Sequence, residues 1–336
     1  MAFAQSDYVV GVDLGGTKIL TGLADFDGNI LAHHKIPTFQ DSSEGEHLSM
    51  VDRLAESIEK VIDDAGVQKA EIVGVGCTAN SPVDHKNGRV MIAPNIPGWR
   101  DGYELRAELQ KRINLPVTVD NDVNLATLGE ATYGAGKGFS DLACIFVGTG
   151  IGGGVILDGK LRRGRRWLAG EFGHMIAERN DLVCVCGMTG HFNSYAGGEP
   201  IQQRLRQAAE AGESPFLLQC LQENESSKFS GEAILQAISL GDPATLGIIN
   251  EAQEMLGILI ANVVAILDPE AIILGGGVIE GLGDPFIQGI REYVLKNIIF
   301  PQALAAPLQI MRAELRPYSV LLGCVALVKD DLLQNP

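Results

Sequence analysis

Positive charge is in short supply in this chain. Twenty-six lysines and arginines face 42 aspartates and glutamates, for a net charge of −16. A surface so acidic makes nucleic acid a poor partner for the molecule as a whole, and an anionic substrate would need local neutralisation by a metal or by turn amides. Long apolar runs are also missing. The most apolar stretch, Ile258 to Leu267, is about half a membrane span and carries Asn262, so no membrane partner is expected. The opening residues, Met1-Ala2-Phe3-Ala4-Gln5-Ser6-Asp7, have neither the basic start nor the apolar centre of a signal peptide, which predicts a cytoplasmic protein. Cysteine is sparse. The six residues include a single close pair, Cys184-Val185-Cys186, and do not read as a disulfide framework.

What the chain has in quantity is glycine, with 41 residues, many of them beside strand-like runs as nucleotide-binding turns require. Its 336 residues suggest two domains, each large enough for its own core. In the first half, Tyr8 to Leu14 reads as a strand turned by Gly15-Gly16-Thr17-Lys18. Ile19 to Phe26 returns, Asp27-Gly28-Asn29 makes a hairpin turn, and Ile30 to Ile36 follows as a third strand. His47 to Ala65 is an amphipathic helix ended by Gly66. A strand from Glu71 to Thr78, a proline-rich stretch to Trp99, a helix from Tyr103 to Ile113 and a strand from Pro116 complete an order β-β-β-α-β-α-β-α.

Two motifs in this half carry chemistry. The turn after Asp13-Leu14 lets the backbone approach a phosphate, whose oxygens the amides of Gly15 and Gly16 and the hydroxyl of Thr17 can bind. Asp13 at the strand end could hold a Mg²⁺ directly or through water; an ordinary tight hairpin is the alternative. The spacing is not that of a Walker A loop, and a strand rather than a helix follows. The other motif, Asp120-Asn121-Asp122-Val123-Asn124, stands where a strand gives way to a helix. Carboxylates beyond the carboxyl end of a strand stand where open α/β sheets bind ligands, although Asp122 could equally be a helix N-cap.

The second half echoes the first. Leu142 to Val147 is a strand, Gly148-Thr149-Gly150 turns it, Val155 to Leu157 returns, and Asp158-Gly159 makes another hairpin turn. Gly148, Gly150 and Gly153 fit G-x-G-x-x-G, but the dinucleotide fingerprint needs a helix directly after the glycines. The run of glycines followed by Val-Ile-Leu-Asp-Gly argues against one. A helix from Ala244 to Leu267 leads into strand Ala271 to Leu274, which ends at Gly275-Gly276-Gly277. Helices from Pro285 to Asn297 and from Tyr318 to Leu333 flank a strand from Leu308 to Arg312. Two similar halves with glycine-turned hairpins argue for a nucleotide held in a cleft between duplicated domains.

Arg162-Arg163-Gly164-Arg165-Arg166, without interleaved aromatics in an acidic chain, reads as a solvated loop rather than a nucleic-acid patch. Gly170-Glu171-Phe172-Gly173-His174 follows, its glycines implying close backbone approach. His174, Cys184, Cys186 and His191 fall within eighteen residues and can furnish a closed tetrahedral zinc site; free cysteines and surface histidines are the alternative.

With these motifs in hand, the chain resembles the ROK family (repressor, open reading frame, kinase) and is similar to its bacterial-type glucokinases. The resemblance runs nearly end to end, through Asp13 to Lys18, Ala93 to Trp99, Asn121 to Asn124, Gly148 to Gly154, Gly170 to His174, Cys184 to Gly190 and Leu267 to Gly277. It implies an α/β chain with the actin-like ATPase fold, two RNase H-like domains with ATP and sugar in the cleft between them. The domains would be residues 1–121 with a returning C-terminal helix at about 316–336, and residues 122–315. The implied activity is ATP-dependent phosphorylation of a hexose, glucose to glucose 6-phosphate first. An N-acetylglucosamine or N-acetylmannosamine kinase and a non-catalytic sugar-binding regulator are the alternatives. The family's repressors carry an N-terminal helix-turn-helix, for which a first strand at Tyr8 leaves no room.

By the same resemblance Asp122 matches the catalytic base, and Asn95, Asn121, Glu171 and His174 match sugar-binding positions. The turns Gly15-Gly16-Thr17-Lys18 and Gly148-Thr149-Gly150 match the family's phosphate loops, beside Asp13 as the candidate Mg²⁺ residue. Gly275, Gly276 and Gly277 lie where the family binds adenosine. The implied cofactors are ATP, Mg²⁺ and a structural Zn²⁺, and the implied assembly is a homodimer or homotetramer. Two positions depart from the pattern. His191 replaces a cysteine ligand, giving His174, Cys184, Cys186 and His191 as the expected zinc set. Asn193 replaces a glutamate that accepts from sugar hydroxyls; a mispaired buried polar group there, costing roughly 1–3 kcal/mol, would change the preferred sugar.

Overall fold

The computed structural model describes residues 7–39, 49–178, 182–223, 228–298 and 307–334. Residues 1–6, and His47 and Leu48 at the expected start of the first helix, lie outside the described residues. The chain divides into two compact units. One comprises Met1–Gly138, Leu161–Ala169 and Pro317–Pro336; the other comprises Phe139–Lys160 and Gly170–Arg316.

The first unit is built on strands β1 (Tyr8–Leu14), β2 (Lys18–Asp25) and β3 (Ile30–Pro37). Helix α1 (Met50–Ala65) starts at Ser49, whose side chain accepts the Asp52 N–H, and stops at Gly66 in the left-handed conformation. Strand β4 (Ile72–Ala79), the two-residue pair β5 (Val83–Asp84) and β6 (Arg89–Val90), helix α2 (Leu105–Ile113), strand β7 (Val117–Asn121) and helix α3 (Asp122–Tyr133) follow. The five long strands lie in the order β3-β2-β1-β4-β7. β1 pairs antiparallel to β2 and parallel to β4, and β4 pairs parallel to β7. Val10 and Val12 face a core shared with Leu54, Ile58 and Val61 of α1 and Leu105 and Leu109 of α2. Because side chains alternate along a strand, Gly11 between them faces the other way.

The second unit contains β8 (Leu142–Val147), β9 (Ile151–Leu157) and β10 (Lys160–Leu161). Helices α4 (Phe192–Ala196), α5 (Gly198–Glu210), α6 (Pro215–Glu223), α7 (Gly231–Ser239) and α8 (Pro243–Leu267) come next. Strand β11 (Ala271–Gly275), helix α9 (Gly277–Asn297) and strand β12 (Gln309–Arg312) complete it. Its strand order is β10-β9-β8-β11-β12, with β8 antiparallel to β9 and parallel to β11, and β11 parallel to β12. The order is that of the first sheet, and β9, β8, β11 and β12 pair in the same sense as β2, β1, β4 and β7, so the repeat read from the glycine hairpins extends to the sheets. Helix α8 is longer than its most apolar segment and is long and apolar enough to cross a membrane. Leu256, Leu259, Ile260 and Val263 are nevertheless buried in the unit's own core.

The last helix, α10 (Ser319–Gln334), belongs to the first unit and covers the glycine face of its sheet. A Cβ on Gly76 would lie 2.5 Å from Cys324 Cβ, and one on Gly323 would lie 1.8 Å from the Leu125 carbonyl oxygen of α3. Ser319 Oγ donates to the buried Glu130 Oε1 at 2.8 Å. This close seam between α3 and α10 is why the first unit runs through Gly138, whereas the sequence places its boundary between 121 and 122. The helix after Asp122 packs on the helix that returns.

Candidate active site and metal centre

The β7–α3 junction presents Asp122. Here Asn121, not Asp122, is the N-cap: its Oδ1 accepts the N–H groups of Val123 (3.0 Å) and Asn124 (3.2 Å). Asn121 Nδ2 donates to the Ser81 carbonyl at 3.2 Å and to Asp122 Oδ1 at 3.0 Å. Two donors and two acceptor positions of the Asn121 side chain, expected at the sugar, are engaged within the protein. This side chain aims its neighbour. Asp122 is half-buried as the first residue of α3, and its Oδ1 also takes the Val123 N–H at 3.0 Å. Two residues before Asp122, Asp120 is buried and receives Arg163 Nε at 2.6 Å. Arg162, Arg165 and Arg166 are exposed as a solvated loop requires, but Arg163 is not.

At the end of β1, Asp13 lies 3.4 Å from the Thr78 hydroxyl, which also accepts the Leu14 N–H. Burial pushes the Asp13 carboxyl up to about 6, against the lowering effects of the Thr78 hydrogen bond and the charge of Lys18. Nothing in the spacing of the two residues flags Thr78; only the parallel pairing of β1 with β4 places it there. The hairpin beyond is closed by Gly15 N–H to the Lys18 carbonyl (3.0 Å) and leaves Gly16, Thr17 and Lys18 exposed. Asn95 is exposed on a loop tied by Ala93 N–H to the Trp99 carbonyl at 3.1 Å.

In the second unit the hairpin Gly148-Thr149-Gly150 is braced from behind. The Gly198 and Glu199 N–H groups at the start of α5 donate to the carbonyls of Gly148 (3.0 Å) and Thr149 (2.9 Å). Asn193 Oδ1 accepts the Ile151 N–H at 2.9 Å, and its amide nitrogen lies 3.5 Å from Cys184 Sγ. Asn193 is buried. In this structure Asn193, expected at the sugar, forms a brace linking the hairpin to the cysteine knuckle. Gly148 and Thr149 line a cavity of about 220 Å³ with Lys228, Phe229, Gly277 and Val278. Gly276 ends the turn from β11 into α9 at φ 91°, where a Cβ would strike the Val147 backbone, while a Cβ on Gly277 would meet open space. The sequence carries no signal for Lys228 and Phe229, which reach this cavity from a distant connection.

His174, Cys184, Cys186 and His191 converge, their ligand atoms all within 4.8 Å of one another. His174 Nδ1 is 3.3 Å from His191 Nδ1 and 3.8 Å from Cys184 Sγ, and Cys186 Sγ is 3.4 Å from His191 Nδ1. Tetrahedral bonds of ~2.0–2.3 Å to zinc require ligand separations of roughly 3.3–3.8 Å, and these three separations fall in that range, so the four residues could hold that ion. Burial raises the Cys184 thiol, but hydrogen bonds from the Cys186 backbone, Asn193, His191 and Cys186 outweigh it and bring the group down to about 7. With Nδ1 turned into this cluster, His174 Nε2 faces Glu171 Oε2 at 3.8 Å. The metal donors and the expected sugar contacts thus share one residue.

Two sheets of identical strand order, each opening with a glycine-turned hairpin, define an actin-like ATPase fold. The chain belongs to the ROK family, whose profile matches residues 9–331. It is 37% identical over 285 residues to a glucokinase of Streptomyces coelicolor, covering 84% of this chain and 86% of the relative. A xylose repressor of Caldicellulosiruptor bescii is 30% identical over 329 residues, covering 98% of this chain and 79% of the relative. Among solved structures, a ROK family glucokinase from Streptomyces griseus in complex with glucose and AMPPNP matches with a TM-score of 0.79 at 34% identity. That match covers 96% of this chain and 99% of the other.

Proposed function

We propose that the chain is an ATP-dependent hexose kinase with glucose as its first acceptor. The observation that carries this reading is the carboxylate of Asp122, held by Asn121 Nδ2 and the Val123 N–H at the positive end of α3. Asp122 takes the proton of a sugar hydroxyl as that oxygen forms its bond to the γ-phosphorus and the bond from γ-phosphorus to ADP breaks. Asn95, Asn121, Glu171, His174 and Asn193 are the residues proposed to bind the sugar hydroxyls. The amides of Gly15 and Gly16, with Thr17 and Lys18 in the first unit and the Gly148–Gly150 hairpin in the second, bind phosphate oxygens. The adenosine moiety occupies the cavity at Gly277. A magnesium ion held through Asp13 supplies further neutralisation of the phosphate charge. The four-residue metal set is a structural zinc site. A homodimer or homotetramer in the cytoplasm, with neither nucleic acid nor membrane as partner, completes the reading.

The similarity to glucokinases, including one solved with glucose and AMPPNP, supports this choice. The similarity to a xylose repressor favours a second reading, a sugar-binding regulator without transfer. A coupled assay for ADP release across glucose, mannose, N-acetylglucosamine and N-acetylmannosamine separates the two. Release with one sugar that vanishes in Asp122→Asn supports the kinase; tight sugar binding with no ADP formed by the wild type supports the regulator.

A further inference from the structure

We propose that Arg163 is a positioning residue for the base at Asp122 and acts through Asp120; this rests on the kinase reading above. Asp120 closes β7 with a side chain only 1% exposed. Its Oδ1 accepts the Asn121 N–H at 2.8 Å and the Asn124 amide at 3.1 Å. Its Oδ2 receives Arg163 Nε at 2.6 Å, with His85 Nδ1 at 3.8 Å. His85 Nδ1 is also 3.0 Å from the Val119 carbonyl, so a proton there already has an acceptor. Arg163 is the partner with a permanent charge, and a carboxylate this deeply buried needs one.

The line of contact continues to the chemistry. Asp120 holds the backbone N–H of Asn121, and the Asn121 side chain caps α3 and grips the Asp122 carboxylate. Arg163 therefore sets the residue that aims the base. A second observation gives the same assignment from the loop's side. Leu161–Ala169 belongs to the first unit although both stretches flanking it in the chain belong to the second. The loop is closed on itself by Ala169 N–H to the Arg163 carbonyl at 3.2 Å. Of its four arginines only Arg163 turns inward, its side chain 20% exposed. The Arg163 guanidinium fastens the arginine-rich segment to Asp120.

The test compares Arg163→Ala, Arg163→Lys, Asp120→Asn, the double variant D120N/R163A, Asp122→Asn and, as a control on the same loop, Arg165→Ala. Steady-state kinetics with ATP and the preferred sugar are read beside thermal melting. Arg163→Ala should lower kcat by up to about 100-fold, the scale of a misplaced catalytic group. KM for both substrates should stay within about threefold, since the loss falls on the transition state. Arg163→Lys, which keeps charge without the planar fork, should fall between. The double variant should be no slower than its slower parent because both changes break one contact. Arg165→Ala should match wild type. Wild-type kcat in Arg163→Ala while Asp122→Asn is inactive overturns the proposal and leaves the kinase reading standing, as does a double variant whose loss is the product of the singles. Should Arg163→Ala not fold, Arg163→Lys carries the same split between kcat and KM, and its absence counts against the role. Full activity in Asp122→Asn instead removes the base role of Asp122 and this proposal with it, whereas a wild type that forms no ADP with any sugar removes the kinase reading itself.

Discussion

Asn193 Oδ1 accepts the backbone N–H of Ile151 at 2.9 Å, and the amide nitrogen of the same side chain faces Cys184 Sγ at 3.5 Å. One short side chain thus joins the proposed phosphate hairpin to the metal knuckle. A Cβ added at Gly150 would sit 2.7 Å from that oxygen, so the brace also limits how the hairpin can move. Asn193→Ala should raise KM for ATP about tenfold or more, the scale of 1–3 kcal/mol for a buried group left unpaired. A changed sugar ranking at constant KM for ATP would leave the side chain a sugar contact and no brace.

The metal set predicts stoichiometry and substitution behaviour. Protein purified without chelator should contain about one zinc per chain by elemental analysis. His191→Cys should retain it, since a thiolate is an equally good ligand at that distance, while His191→Ala should lose most of it and melt at lower temperature. Full zinc content in His191→Ala would remove His191 from the set.

Asp13 supplies a pH signature. Its carboxyl is raised from 3.8 to about 6, chiefly by burial, so the folded state favours the protonated form. The stability this contributes is fully present below pH 3.8 and is lost as pH rises through 6. Asp13→Asn removes the cost of the buried charge. The variant should therefore gain on wild type between pH 4 and 7, by on the order of 3 kcal/mol at ~1.4 kcal/mol per unit. Paired denaturant titrations across that range check it; a constant difference would mean that Asp13 is not desolvated. In its proposed role as a magnesium ligand Asp13 must be ionised, so wild-type activity should fall below pH 6 and recover in part with more magnesium.

The seam between α3 and α10 is intolerant of added volume. A Cβ at Gly323 would overlap the Leu125 carbonyl, and one at Gly129 would lie 2.1 Å from the Ser319 carbonyl oxygen. Gly323→Ala should destabilise the first unit by about 1–3 kcal/mol, the usual cost of overpacking, seen as a lower melting temperature. An unchanged melting temperature would mean that the helices lie further apart.

The cavity beside Gly277 is proposed for the nucleoside. Gly277→Val projects into open space there, so the fold should survive. KM for ATP should rise about tenfold or more while KM for sugar holds, on the usual scale of discrimination by an apolar pocket.

Much of this was legible in the sequence because it is local. The stripe Val51, Leu54, Ile58, Val61 and Ile62 marks α1, and all five residues are buried. Turn residues such as Asp158 and Gly159, both at positive φ, mark hairpins. The helices between Phe192 and Ser239 went unread, although Ile201, Leu205 and Ala208 keep helical spacing and Ser230 is an N-cap. Glycines and short helices weaken the periodic signal there. Helix α9 begins at Gly277, eight residues before the expected Pro285. A kink at Gly283 breaks its backbone, and Gly and Pro read as helix ends rather than interiors.

By itself the sequence determined the duplicated plan, the glycine hairpins, the strand end that offers Asp122 and the four metal donors. Those follow from patterns a few residues long and from motifs met in order. Only the tertiary structure decided that Asn121 is the cap, that Asn193 braces a hairpin, that Thr78 stands by Asp13 and that one arginine of four is buried against Asp120. The first is a local choice between two adjacent capping residues; the other three depend on which strand lies beside which and which face a helix covers. Such relations join residues up to 65 positions apart, and no local propensity encodes them.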